Sequence, residues 1–206
     1  MRFETIRWHD DALYLLDQTK LPAACVEVRL RRVEEVHDAI KRLVVRGAPL
    51  LGVAAAYGLY LGATAFKGAD TGEFFHHLCD TAQYLKTSRP TAVNLFWALD
   101  RMIACARRHA EEAVPAIVRA LGAEAEAIKE EDRTLCTQIG NAGEPLIAEG
   151  DCILTHCNAG ALATAGIGTA LAPLYRAQAQ GKRFSVYVDE TRPLLQGARL
   201  TAWELT

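Results

Sequence analysis

A single thiol, Cys157, stands where a hydrophobic run, Ile153-Leu154-Thr155, gives way to the loop-like Asn158-Ala159-Gly160-Ala161. In α/β folds ligands collect at the carboxyl ends of parallel strands, where loops lead into helix N-termini. Backbone amides or a helix N-terminus at such a rim tune thiol acidity, which makes Cys157 a candidate for chemistry. Away from a rim the same residue would be an inert buried thiol, the common state of a free cysteine. His156 is a poor partner for it, because adjacent strand residues face opposite sides of a sheet. A structural histidine is expected there, with Cys152 packed inside the strand.

Two arginines offer the complementary charge. Arg46-Gly47-Ala48-Pro49 precedes an apolar, helix-forming run, and proline at the first helical position leaves neighbouring N–H groups free to face a ligand. With the helix dipole and a guanidinium alongside, Arg46, Gly47 and Ala48 form a candidate anion site. Ser88-Arg89-Pro90-Thr91 repeats the order of cap residue, Arg, Pro and helix. Either arginine alone reads as a charge solvating a helix end; together they point to one shared phosphate. Asp189 and Glu190 follow a second strand at the same edge, as acid/base groups, as acceptors for a sugar hydroxyl, or as an ion pair with Arg192. Gln196, three residues past Pro193, lies within reach of that edge. Gly160, Gly166 and Gly168 do not follow G-x-G-x-x-G, so a dinucleotide is not expected.

The elements that must carry these groups are legible from periodicity. Residues 3–8 and 12–16 alternate as the two arms of a short β-hairpin around His9-Asp10-Asp11. Helices then follow at 33–44, from Pro49 onward, at 72–86, from Pro90 to about Arg108, and over 113–140 with a break near Leu121-Gly122. The strands at 153–155 and 184–188, joined by a helix, make a βαβ unit. The expected fold class is α/β. A small, mostly helical N-terminal domain with a short hairpin (1–120) precedes the first half of a Rossmann-like parallel α/β domain (121–206). Two parallel strands leave sheet faces and edges uncovered, and the chain stops inside a helix begun after Pro193. It is therefore expected to be a C-terminally truncated copy of a longer protein.

Half of the 206 residues are apolar, enough to bury a sizeable core, and the formal charge of -2 provides no broad basic field for nucleic acid or an anionic membrane. The six cysteines show no metal-binding spacing, and the N-terminus lacks an apolar signal core, so reduced thiols in the cytoplasm are expected. The stretch 47–66 carries no charge and matches a bilayer in length, but its glycine and alanine content suits a buried core helix better than a span.

With these residues assembled, the chain resembles the methylthioribose-1-phosphate isomerase family. That family belongs to an aldose-ketose isomerase superfamily shared with ribose-1,5-bisphosphate isomerases and the regulatory subunits of the eukaryotic translation-initiation nucleotide exchange factor. The matching motifs run end to end: Ile6-Arg7-Trp8, Leu13 to Gln18, Lys20-Leu21-Pro22, Val44 to Pro49, Ser88 to Asn94, Leu154 to Thr164 and Val188 to Gly197. The resemblance implies conversion of 5-methylthioribose 1-phosphate to 5-methylthioribulose 1-phosphate in methionine salvage, by a cytoplasmic homodimer with no metal, nucleotide or other cofactor. Carried onto this chain, Arg46, Gly47, Ala48 and Arg89 hold the phosphate, Gln196 contacts substrate, and Cys157 moves a proton. The phosphate ester on the anomeric carbon blocks ordinary aldose ring opening, which implies an enolate-like proton transfer or a hydride shift in a dry pocket. The family's second catalytic residue, an Asp, and a following Asn-Lys pair fall beyond Thr206, so this 206-residue chain by itself is expected to be inactive or nearly so. Two other readings stand beside this one: a ribose-1,5-bisphosphate isomerase, and a non-catalytic regulatory subunit that binds sugar phosphates or nucleotides.

Overall fold

The structure, a computed structural model, describes residues 3–206. Strands β1 (Ile6–His9), β2 (Ala12–Leu16) and β3 (Glu27–Leu30) form an antiparallel sheet in that order, with Ile6 opposite Leu15 and Leu13 opposite Leu30. The hairpin turn is Asp10-Asp11, both at positive φ (48° and 52°), as a tight turn between right-twisted strands requires. The first arm is shorter than the expected 3–8 and shifted to 6–9. The third strand went unanticipated because four residues are too few to display a period.

Five helices follow: α1 (Val33–Lys41), α2 (Ala48–Ala65), α3 (Thr71–Lys86), α4 (Val93–Arg108) and α5 (Val114–Gly143). α1 ends earlier than the pattern over 33–44 predicts, because Leu43 turns left-handed (φ 64°) and Val44 N–H donates back to Ala39 O at 2.9 Å, closing the helix end. α2 is apolar all round and forms the axis of the bundle, with Leu50, Ala54, Ala55, Ala56 and Leu59 wholly buried beneath its neighbours. Its length and hydropathy would also suit a membrane span, but most of its surface is covered by this chain's own core.

α5 is the clearest departure from expectation. It runs unbroken for 30 residues through Leu121-Gly122. Gly122 is a contact point, not a breaker: a Cβ there would lie 2.9 Å from Cζ of Tyr60, so glycine lets the α2 ring approach the helix backbone. The first half of α5 packs on the bundle, and the second half supports α6 (Ala172–Ala179).

That support carries the second sheet. β4 (Cys152–Thr155) and β5 (Ser185–Val188) pair in parallel from Cys152 opposite Ser185 to Thr155 opposite Val188, with α6 as the crossover. The βαβ unit and the α/β class stand as expected. One sheet face is bare, with Leu154 69% and Tyr187 65% exposed, and Cys152, expected to pack inside the strand, is exposed as well. After β5 the chain turns through Thr191 to Leu195, then forms a π-helical turn (Gln196–Thr201) that continues into α7 (Ala202–Leu205).

Candidate functional site

Cys157 lies two residues past β4 in left-handed backbone (φ 59°), a conformation that disfavours an L side chain by ~1 kcal/mol or more. Two hydroxyls pin it there. Its N–H donates to Thr191 Oγ1 (3.1 Å), beyond β5, and its carbonyl accepts from Thr201 Oγ1 (2.6 Å), on the π-helical turn. The partly buried thiol therefore sits where three segments meet.

Arg46 reaches the same place from the helical bundle. Gly47 caps α2 at φ 99°, and a Cβ on it would collide with Ala163 (2.6 Å to its Cβ), so only glycine lets the start of α2 abut the loop after β4. Pro49 falls in the first helical turn as expected, and Ala48 stays exposed at the helix tip. The Arg46 side chain, 9% exposed, grips Asn158 twice: Nη1 donates to the side-chain Oδ1, and Nη2 donates to the main-chain carbonyl at 2.9 Å. Burial pulls the Arg46 pKa below the ordinary guanidinium value; the neighbouring Cys157 and Glu204 oppose that shift, while Arg199 and Arg89 reinforce it. Both arginines singled out from sequence thus stand within electrostatic reach of one another, and Cys157 stands within reach of Arg46.

Arg89 arrives differently from the expected helix opening. Ala92, with φ -83° and ψ 90°, is extended, so α4 begins at Val93; Pro90 belongs to a turn closed by Ala92 N–H on Arg89 O at 3.0 Å. Arg89, partly buried, is presented by that turn, and only the Arg46 motif places its arginine directly at a helix N-terminus.

Gln196 opens the π-helical turn, which packs against the end of β5 where Ala198 N–H donates to Glu190 O. Its side-chain Oε1 is shielded from solvent without a hydrogen-bond partner among the described residues, an acceptor left for something else to satisfy. Asp189 and Glu190 are each held in an ion pair. Asp189 Oδ2 meets His156 Nδ1 at 2.9 Å, and Glu190 Oε2 accepts from Arg192 Nε at 2.6 Å, the ion-pair alternative for this edge. His156 is 73% exposed and tied to Asp189, a contact that bridges the two strand ends.

Three members of the rim carried no signal in the sequence. Asn158 falls in the loop-like stretch after β4, and Thr201 and Glu204 fall within the helix expected after Pro193. Asn158 Nδ2 donates to Thr201 Oγ1 (3.0 Å) and to Glu204 Oε1, and Glu204 Oε2 accepts from Ala161 N–H (2.6 Å) and the Tyr175 hydroxyl (2.9 Å). These are contacts between residues up to 46 positions apart, which no local pattern encodes. Arg46 at the start of α2, with Arg89 and the Cys157 thiol in its field, suits a small phosphorylated ligand.

The model of the initiation factor 2 subunit family matches residues 44–206. A methylthioribose-1-phosphate isomerase of Symbiobacterium thermophilum is 56% identical over 194 residues, covering 94% of this chain and 54% of that protein. A 5-deoxyribose 1-phosphate isomerase of Moorella thermoacetica is 52% identical over 97% of this chain and 57% of its own length. Among solved structures, 5-methylthioribose 1-phosphate isomerase of Pyrococcus horikoshii superposes with a TM-score of 0.93 at 39% identity, covering 98% of this chain and 56% of that one. The translation initiation factor eIF-2B subunit delta of A. fulgidus gives 0.90 at 46% identity, with 98% and 59% covered. The chain spans little more than half the length of the relatives it matches.

Proposed function

This chain belongs to the initiation factor 2 subunit family, and from that premise we propose that the whole protein isomerises 5-methylthioribose 1-phosphate to 5-methylthioribulose 1-phosphate. In net terms one hydrogen moves from C2 to C1, the C1–O4 bond opens, and the O2 hydroxyl proton ends on O4, so no co-reactant is consumed. Arg46 with the Gly47 and Ala48 backbone, and Arg89 from its turn, hold the phosphate. Gln196 takes a sugar hydroxyl on Oε1, and Cys157 carries a proton within the exchange. The observation that carries this reading is the double grip of Arg46 on Asn158, which fixes the start of α2 beside the residue following Cys157.

The same reading divides the chain into a helical N-terminal domain (1–120) and an α/β domain (121–206), with α5 running through the boundary. It makes the enzyme cytoplasmic, and homodimeric at its relatives' length. The test is isomerase activity of the whole protein, wild type against Cys157→Ser, with 5-methylthioribose 1-phosphate, 5-deoxyribose 1-phosphate and ribose 1,5-bisphosphate. The methylthio substrate is expected to be preferred, and a fully active serine variant would remove Cys157 from the chemistry. A regulatory, non-catalytic role is the second reading, favoured by the 46% identity to the A. fulgidus subunit. Absence of turnover on all three substrates would select it.

A further inference from the structure

Glu204 is buried at the rim without a place in the reading above. Its carboxylate faces donors on every side: Asn158 Nδ2 and the Ala161 N–H from the loop after β4, and the Tyr175 hydroxyl from α6. Gly160 makes room for it, since a Cβ there would fall on the carboxylate oxygens. Asn158 in turn accepts both contacts from Arg46, one on its side-chain oxygen.

An amide has an oxygen end and a nitrogen end. Asn158 can offer Oδ1 to Arg46 only if Nδ2 points the other way, toward acceptors. Glu204 Oε1 and Thr201 Oγ1 are those acceptors. We propose that Glu204 is a positioning residue: by holding Nδ2 of Asn158, it sets the orientation of that amide and so aims the Arg46 guanidinium at the substrate phosphate beside Cys157. The inference rests on the proposed isomerase function, in which Arg46 binds phosphate. Burial raises the Glu204 pKa above the usual carboxylate range, while Asn158, Tyr175 and the Ala161 and Leu162 amides favour its charged form. The Arg46 cation lies one amide away. Glutamine at 204 would keep the shape but bring its own NH2 group against Asn158 Nδ2 or the Ala161 N–H, a donor facing a donor.

The experiment uses the whole protein as wild type, Glu204→Gln, Asn158→Ala and the double variant, with kcat and KM for 5-methylthioribose 1-phosphate and melting curves alongside. Glu204→Gln is expected to raise KM on the order of tenfold, the scale of one charge-assisted hydrogen bond lost, with a much smaller change in kcat. The double variant is expected to be no worse than Asn158→Ala alone, because both changes break one relay. Glu204→Asp, which keeps the charge, is expected to restore part of the loss, and Tyr175→Phe tests the same network if Glu204→Gln fails to fold. An unchanged KM, or effects that multiply, would overturn the inference. If the wild type turns over no substrate, the functional reading fails first. Inorganic phosphate binding by calorimetry then decides the positioning role, which is overturned if Glu204→Gln binds phosphate as tightly as wild type.

Discussion

The bundle around α2 and the rim around Cys157 are buried to a similar degree by opposite means. In the bundle, Leu50, Leu59, Phe74, Leu95 and Leu99 are covered by other apolar side chains, and an apolar residue of similar volume and shape satisfies its neighbours nearly as well. At the rim, Arg46, Asn158, Thr201 and Glu204 are also buried, at most 9% exposed, but each donor there meets a particular acceptor. Apolar packing fixes where the bundle sits and is indifferent to detail. The polar rim is brittle, because reversing one amide or removing one charge leaves a desolvated partner behind. The molecule uses the tolerant region to hold the exacting one.

That contrast is broken first by the change with the largest expected effect. Cys157→Ser in the whole protein should lower turnover by roughly 10²–10⁴, the usual contribution of a proton-transferring group, with melting temperature nearly unchanged, as checked by parallel activity and thermal scans. Leu59→Ala should do the reverse: a loss of about 2–5 kcal/mol in urea unfolding, the same at every pH, with KM preserved in the molecules that remain folded.

Glu204 sharpens the contrast through pH. Its folded pKa is raised, so the stability it contributes is fully present below the ordinary carboxylate value and is lost as pH rises through the raised value. The stability advantage of wild type over Glu204→Gln should therefore be largest at the acid end and narrow toward neutrality, as unfolding curves across that range would report. A gap that stays constant with pH would place Glu204 with the bundle in character. His156→Ala should show the smallest effect, under about 1 kcal/mol, because its partner Asp189 and the imidazole are both well exposed.

The two regions also differ in how much of them the sequence discloses. Helical periodicity and the Gly/Ala-rich run of α2 are local signals, and the bundle, the βαβ unit and the position of Cys157 at a strand end could all be read from them. Gly122 misled because a glycine that admits the Tyr60 ring looks the same in sequence as one that ends a helix. Pro90 misled because proline serves a turn as readily as a first helical residue, and the extended Ala92 decides between them. Gln196 was legible as a candidate, but its unpartnered oxygen was not. Asn158 and Glu204 were invisible because their burial is created by segments 46 residues apart meeting at one loop.

The central claim is that Arg46, Arg89 and Cys157 serve one phosphate-bearing ligand. The most direct measurement is the alkylation rate of Cys157 in the whole protein, followed by peptide mass spectrometry with and without 5-methylthioribose 1-phosphate, for wild type and Arg89→Ala. Substrate is predicted to slow modification of Cys157 in wild type, and Arg89→Ala is predicted to need a far higher concentration for the same protection. A Cys157 rate that saturating substrate leaves untouched would contradict the account.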